Sequence, residues 1–133
     1  MTDMFIDSSA LVAMVASEVD GEQLAARLEE AYEPFTSPIV IFETVLALAR
    51  IHRAPVAQTT FIVLEFLERT GIELADVHAD THLVALTAHE RFGKGTGHRA
   101  QLNMGDCFSY AMAKKAGVPI LYKGDDFAHT DLA

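Results

Sequence analysis

Met4-Phe5-Ile6-Asp7-Ser8-Ser9-Ala10-Leu11-Val12-Ala13-Met14-Val15 is an apolar triplet that runs into one acid and then into a helix-compatible stretch. An uninterrupted apolar triplet suits a short strand covered on both faces, and Ser9 to Val15 is predicted as a helix. Outward from here the alternation continues. Gly21 to Ala31 is predicted helical, with its charges on one side and Leu24 and Leu28 on the other. Pro34-Phe35-Thr36-Ser37-Pro38 reads as a break containing a helix start, with Ser37 as cap and Pro38 in the first turn. That helix runs to about His52 and ends at Arg53-Ala54-Pro55, and a further amphipathic helix over Val56 to Arg69 stops at Gly71. Ile72 to Val77 is a predicted strand, Asp80 to Phe92 a helix, Asp106 to Lys115 a helix ended by Gly117, and Val118 to Tyr122 a strand. Strands separated by helices predict an α/β fold: one domain over residues 1–133, with a central parallel sheet of four to five short strands and helices on both faces. Ligands of such sheets bind beyond the C-terminal strand ends, where Asp7 and Asp125-Asp126 fall.

Length and composition narrow the function. A chain of 133 residues, half of them apolar and 22% charged, makes one core and is not a disordered tail. Uncharged runs such as Ser8 to Ser17 are far shorter than the ~20 residues of a bilayer span, and Met1-Thr2-Asp3-Met4 lacks the basic start of a signal peptide. With a lone Cys107, which forms no internal disulfide, this predicts a cytoplasmic protein without a membrane partner. Ten Lys and Arg against nineteen Asp and Glu, a net charge of −9, exclude a non-specific nucleic-acid coat. They do not exclude a nuclease whose divalent cations meet the phosphate.

The acids carry the most information. Asp7 is the only charged residue between Asp3 and Glu18, Glu43 the only one between Glu33 and Arg50, and Asp106 the only one between Arg99 and Lys114. A carboxylate in an apolar stretch points to solvent, is hydrogen-bonded or meets a cation, because burying it alone costs several kcal/mol. Asp7 and Asp106 also suit helix caps, whereas Glu43 lies in mid-helix. If these acids converge with Asp125, only protons or a hard cation such as Mg2+ or Mn2+ relieve their repulsion. Water on such a cation is a nucleophile for phosphodiester hydrolysis.

Phe5 to Ala13, Glu43, Leu102-Asn103-Met104-Gly105-Asp106-Cys107-Phe108-Ser109-Tyr110-Ala111 and Leu121-Tyr122-Lys123-Gly124-Asp125-Asp126-Phe127, in this order and spacing, resemble the PIN-domain ribonucleases, and among them the VapC-type toxins of type II toxin–antitoxin systems. The resemblance covers nearly the whole chain. It implies a Mg2+-dependent endoribonuclease, with Mn2+ as a substitute, that leaves 5′-phosphate and 3′-hydroxyl ends. It also implies an acidic site of Asp7, Glu43, Asp106 and Asp125, in which Asp7 and Asp106 hold the metal and Ser9 and Asn103 support them. The implied partners are RNA, a VapB-type antitoxin and a second copy of the chain, with DNA reached only through the antitoxin. Many relatives carry a Thr just after the last strand, where this chain has Tyr122-Lys123-Gly124. Its paired Asp125-Asp126 makes the fourth acid ambiguous; Asp125 is taken, and Asp126 is read as either that acid or a terminal cap.

Lys94, His98 and Arg99 flank the glycine-rich Gly93-Lys94-Gly95-Thr96-Gly97 stretch, read as a mobile loop that either closes over an RNA backbone or is simply solvated. The stretch is not a phosphate-binding P-loop, since Ala88 and Gly95 occupy positions that need Gly and Ser or Thr. His78 and His82 lack a third zinc ligand, and Cys107 reads as a packed thiol. Arg50, His52 and Arg53 complement a helix C-terminus. Phe61, Leu64, Phe66 and Leu67 form an apolar helix surface that is part core and part partner groove. Receiver-type and haloacid-dehalogenase-like phosphoacceptors need a second acid near the first strand, where this chain has Ser8-Ser9. The alternative from another class is a catalytically silent PIN-like module that binds a partner.

Overall fold

A computed structural model describes residues 2–133. The chain runs β1 (Met4–Ile6), α1 (Ser8–Val15), α2 (Gly21–Glu29), β2 (Pro34–Thr36), α3 (Pro38–His52), α4 (Val56–Thr70), β3 (Glu73–Leu74), α5 (Thr81–Phe92), α6 (Met104–Ala116) and β4 (Ile120–Leu121). The four strands form one parallel sheet in the order β3-β2-β1-β4, as the strand–helix alternation predicts. β1 lies inside it, paired with β2 through Phe5 and Phe35 and with β4 through Phe5 and Ile120. Phe5, Ile6, Leu11, Leu102 and Leu121 are fully enclosed in the main core. Among the described residues no helix is long and apolar enough to cross a membrane.

The sequence reading differs from the fold most at β2. Pro34–Thr36 is an inner strand rather than a break: Pro34 sits at the strand's first residue, where a missing N–H is tolerated. Phe35 meets Phe5 edge-to-face at 5.2 Å, and the buried Thr36 hydroxyl donates to the Ile6 carbonyl at 2.8 Å. Ser37 then caps α3 by accepting the Val40 N–H, as expected. β3 and β4 are shorter than predicted; Glu73 and Leu74 of β3 are exposed at the sheet edge, while both residues of β4 are buried. α6 starts at Met104, so Asp106 lies in its first turn and Asn103 is the cap.

Candidate active site

Asp7 follows directly on β1 and caps α1, and it is only 3% exposed. Its Oδ2 accepts the Ser9 N–H at 3.1 Å and the Ser9 hydroxyl at 2.6 Å, while its Oδ1 accepts the Ser109 hydroxyl at 2.7 Å. Three donors therefore hold the carboxylate in one orientation without any cationic partner. The cap and the site are the same residue: the strand end aims the acid outward and the helix start fixes it. Ser9 Oγ also accepts the Lys123 N–H at 3.0 Å, which ties the segment after β4 to Asp7 through one hydroxyl.

Asp106 is placed by a capping box. Asn103 Oδ1 accepts the Asp106 N–H at 2.8 Å, and Asp106 Oδ2 accepts the Asn103 N–H at 3.1 Å. Burial pushes the Asp106 carboxyl up to about 7, with the charges of Asp126 and Asp7 and a hydrogen bond to Asp126 adding to it; the Asn103 N–H acts the other way. Glu43 enters from α3, half-buried. Burial raises its pKa and the Asp7 charge adds to the rise, opposed by a hydrogen bond from Ser8. The Glu43 carboxyl lies flat against Gly105, where any Cβ would overlap it. A glycine one residue before Asp106 is thus what lets α3 and α6 bring their acids together.

Asp7, Glu43, Asp106 and Asp126 line one cavity of about 300 Å³, with Ser8, Ser9, Glu18, Asn103 and Lys123 among its other walls. Of the pair Asp125-Asp126, Asp126 lines the cavity and Asp125, the residue chosen from the sequence, does not. Asp125 is exposed and outside the cavity, and its carbonyl accepts the Ala128 N–H in a turn. Gly124 takes a left-handed φ of 93° and the buried Phe127 packs edge-on to Tyr122 at 5.3 Å, so the chain pivots Asp126 toward Asp106.

Lys94, His98 and Arg99 do not reach this cavity. His98 turns inward: its ring meets Phe92 edge-on at 5.0 Å and its Nδ1 accepts the Ala100 N–H at 3.0 Å. The glycine-rich stretch is pinned, because Lys94 N–H donates to the Leu102 carbonyl and Leu102 N–H to that of Phe92. Lys94 lines a separate apolar cavity of about 590 Å³ between α5 and the start of α6, which shares only Asn103 with the acidic one; Arg99 is exposed and lines neither. Sequence reasoning missed Ser8, Glu18 and Gly105 as parts of the site, and it missed Ser109, one turn beyond Asp106, the spacing that puts both on one face of α6.

Apart from Glu18, which is paired with Lys123, the four carboxyl groups of Asp7, Glu43, Asp106 and Asp126 make an oxygen donor set suited to a hard divalent ion. The upward pKa shifts of Glu43 and Asp106 come first from burial, and the charge of Asp7 adds to both. Among the described residues no group of three His, Cys, Asp or Glu side chains is already drawn in to ligand spacing. The acids line the cavity without closing on a point.

Comparison with known proteins agrees with this geometry. The PIN domain family matches residues 4–132. The chain is similar to ribonuclease VapC30 of Mycobacterium tuberculosis, 42% identical over 130 residues that cover 98% of this chain and 96% of the relative. It is 37% identical over 139 residues to a VapC ribonuclease of Rhizobium meliloti, covering 96% and 98%. In fold it matches the crystal structure of M. tuberculosis VapC20, a sarcin-ricin loop cleaving toxin, with a TM-score of 0.73 at 21% identity over 98% of this chain and 97% of that one. A chain of a toxin–antitoxin complex from Klebsiella pneumoniae matches with a TM-score of 0.67 at 12% identity, covering 97% and 93%. With an acid-lined cavity at the strand ends and relatives matched over almost their full length, the chain belongs to the PIN-domain family and, within it, to the VapC ribonucleases.

Proposed function

We propose that this ribonuclease is the toxin of a type II toxin–antitoxin pair, a Mg2+-dependent endoribonuclease whose reaction takes place in the cavity of Asp7, Glu43, Asp106 and Asp126. One observation carries the reading: acids from the end of β1, α3, α6 and the segment after β4 face one cavity whose single lining Lys or Arg, Lys123, is paired with Glu18, and Asp7 is held rigid by Ser9 and Ser109. Asp7 and Asp106 hold the metal, with Glu43 and Asp126 completing the oxygen cage and orienting water. When bound, Mg2+ lowers the pKa of a water molecule and offsets charge on the phosphoryl oxygens, and Mn2+ serves the same donor set. The protein supplies orientation: Asp7 is fixed before substrate arrives, so little reorganisation accompanies the reaction.

The partners in this reading are RNA, a VapB-type antitoxin and a second copy of the chain. The α5–α6 face supports the homodimer, because Leu83, Leu86 and Met104 are 60%, 62% and 72% exposed beside or lining the 590 Å³ apolar cavity. An antitoxin has apolar surface to use on α3 and α4, where Phe42, Phe61 and Leu64 are exposed; Leu67 is buried in the core. The test is incubation of the purified chain, freed of any co-purified partner, with a mixed cellular RNA pool in Mg2+ or EDTA. Discrete cuts that need Mg2+ support the reading; metal binding and cleavage both absent from folded protein would favour a silent partner-binding module.

A further inference from the structure

The chain has a net charge of −9, and the cavity that must receive an RNA phosphate is lined by acids. Among the described residues, Lys123 is the single Lys or Arg that lines that cavity. Its backbone is fixed at the site, since its N–H donates to the Ser9 hydroxyl that in turn donates to Asp7. Its ammonium is held off by Glu18, which also lines the cavity, at 2.9 Å. Both side chains are about one-third exposed, at 34% and 36%.

We propose that Glu18 and Lys123 form a clasp at the cavity mouth, and that Lys123 leaves Glu18 to bind the phosphate of the RNA being cut. This rests on the ribonuclease reading above. An ion pair this exposed is held weakly, because water screens it and the lysine stem is flexible. A phosphate oxygen offers the ammonium a comparable charge-assisted hydrogen bond, and near an acid cluster it has few other cations to meet. The backbone anchor means that the ammonium swings about a fixed point beside Asp7.

The two members of the clasp therefore have opposite effects on RNA affinity. The test first identifies an RNA that the unmodified chain cleaves, and then measures binding of that RNA to the cleavage-impaired Asp106→Asn protein, alone and combined with Lys123→Ala, Lys123→Arg or Glu18→Gln. Lys123→Ala weakens binding about tenfold and lowers the slope of log K against log salt by about one, as loss of one phosphate contact requires. Lys123→Arg retains most of the affinity, and Glu18→Gln tightens binding two- to threefold by freeing the lysine, on the order expected for an exposed pair. Unchanged binding in Lys123→Ala, or unchanged or weaker binding in Glu18→Gln, overturns the clasp while leaving the ribonuclease reading intact. If the unmodified chain cleaves no RNA, the ribonuclease reading fails and the clasp fails with it.

Discussion

Asp125 and Asp126 are chemically identical neighbours, and only one faces the cavity. A turn without periodicity gives no pattern by which sequence separates them, and the outcome depends on where Gly124 and Phe127 send the chain. Asp126→Asn is therefore expected to reduce cleavage by roughly tenfold or more, while Asp125→Asn stays within about twofold of the unmodified chain in a single-turnover assay, the scale of losing one group that orients a reacting water. Asp7, Glu43 and Asp106 were legible for a different reason: each stands alone in an apolar stretch, so burial had to be explained. Ser109 was not legible, since a small hydroxyl in a helix gives no such contrast. The raised carboxyl of Asp106 has a pH consequence. An unfolded Asp ionises near 3.9, so between about pH 4 and 7 the folded metal-free chain keeps a proton that the unfolded chain has lost. Stability then falls as pH rises through that window, with Glu43 contributing in the same direction. Thermal melts without metal are expected to be lower at pH 8 than at pH 5.5, and Asp106→Asn should flatten the difference and raise the pH 8 midpoint.

At the scale of elements, the helices were readable because their stops are chemical: Arg53 and Gly71 end α3 and α4 in left-handed conformations, as does Gly117 for α6. β2 was hidden, since three residues led by a proline resemble a break until the neighbouring strand supplies its hydrogen bonds. The start of α6 was misplaced by two residues because Asp106 is itself a good cap; here Asn103 takes that position and Asp106 returns the bond. That box, with Gly105 inside it, sets the spacing between α3 and α6. Gly105→Ala places a methyl group against the Glu43 carboxyl. It is expected to destabilise the fold by about 1–3 kcal/mol, measured by denaturant unfolding, and to depress cleavage more than stability alone explains. Wild-type activity and stability in Gly105→Ala would show that the close approach is not required.

For the whole molecule, the strand–helix alternation sufficed for an α/β fold with a parallel sheet, and the position of the site at the strand ends followed from it. What the sequence did not reveal was the division of its apolar surface, because burial depends on tertiary packing. Leu67 enters the core and Phe61 does not, although both belong to the same apolar helix surface. On α5, Leu86 is exposed beside the 590 Å³ cavity, where a second chain would cover it. Leu86→Glu is expected to shift the protein from dimer to monomer in sedimentation velocity without unfolding it; an unmodified chain that sediments as a monomer at tens of micromolar would contradict the proposed assembly.

The most direct measurement is cleavage of a mixed cellular RNA pool by the unmodified chain and by Asp106→Asn, each with Mg2+ and with EDTA. The expected result is discrete cutting by the unmodified chain in Mg2+ alone, with a loss of roughly 10²–10³-fold in Asp106→Asn, the scale of removing one preorganised charge-stabilising group. Cutting that persists in EDTA, or that Asp106→Asn retains at the unmodified rate, would contradict a metal-dependent ribonuclease centred on the four-acid cavity.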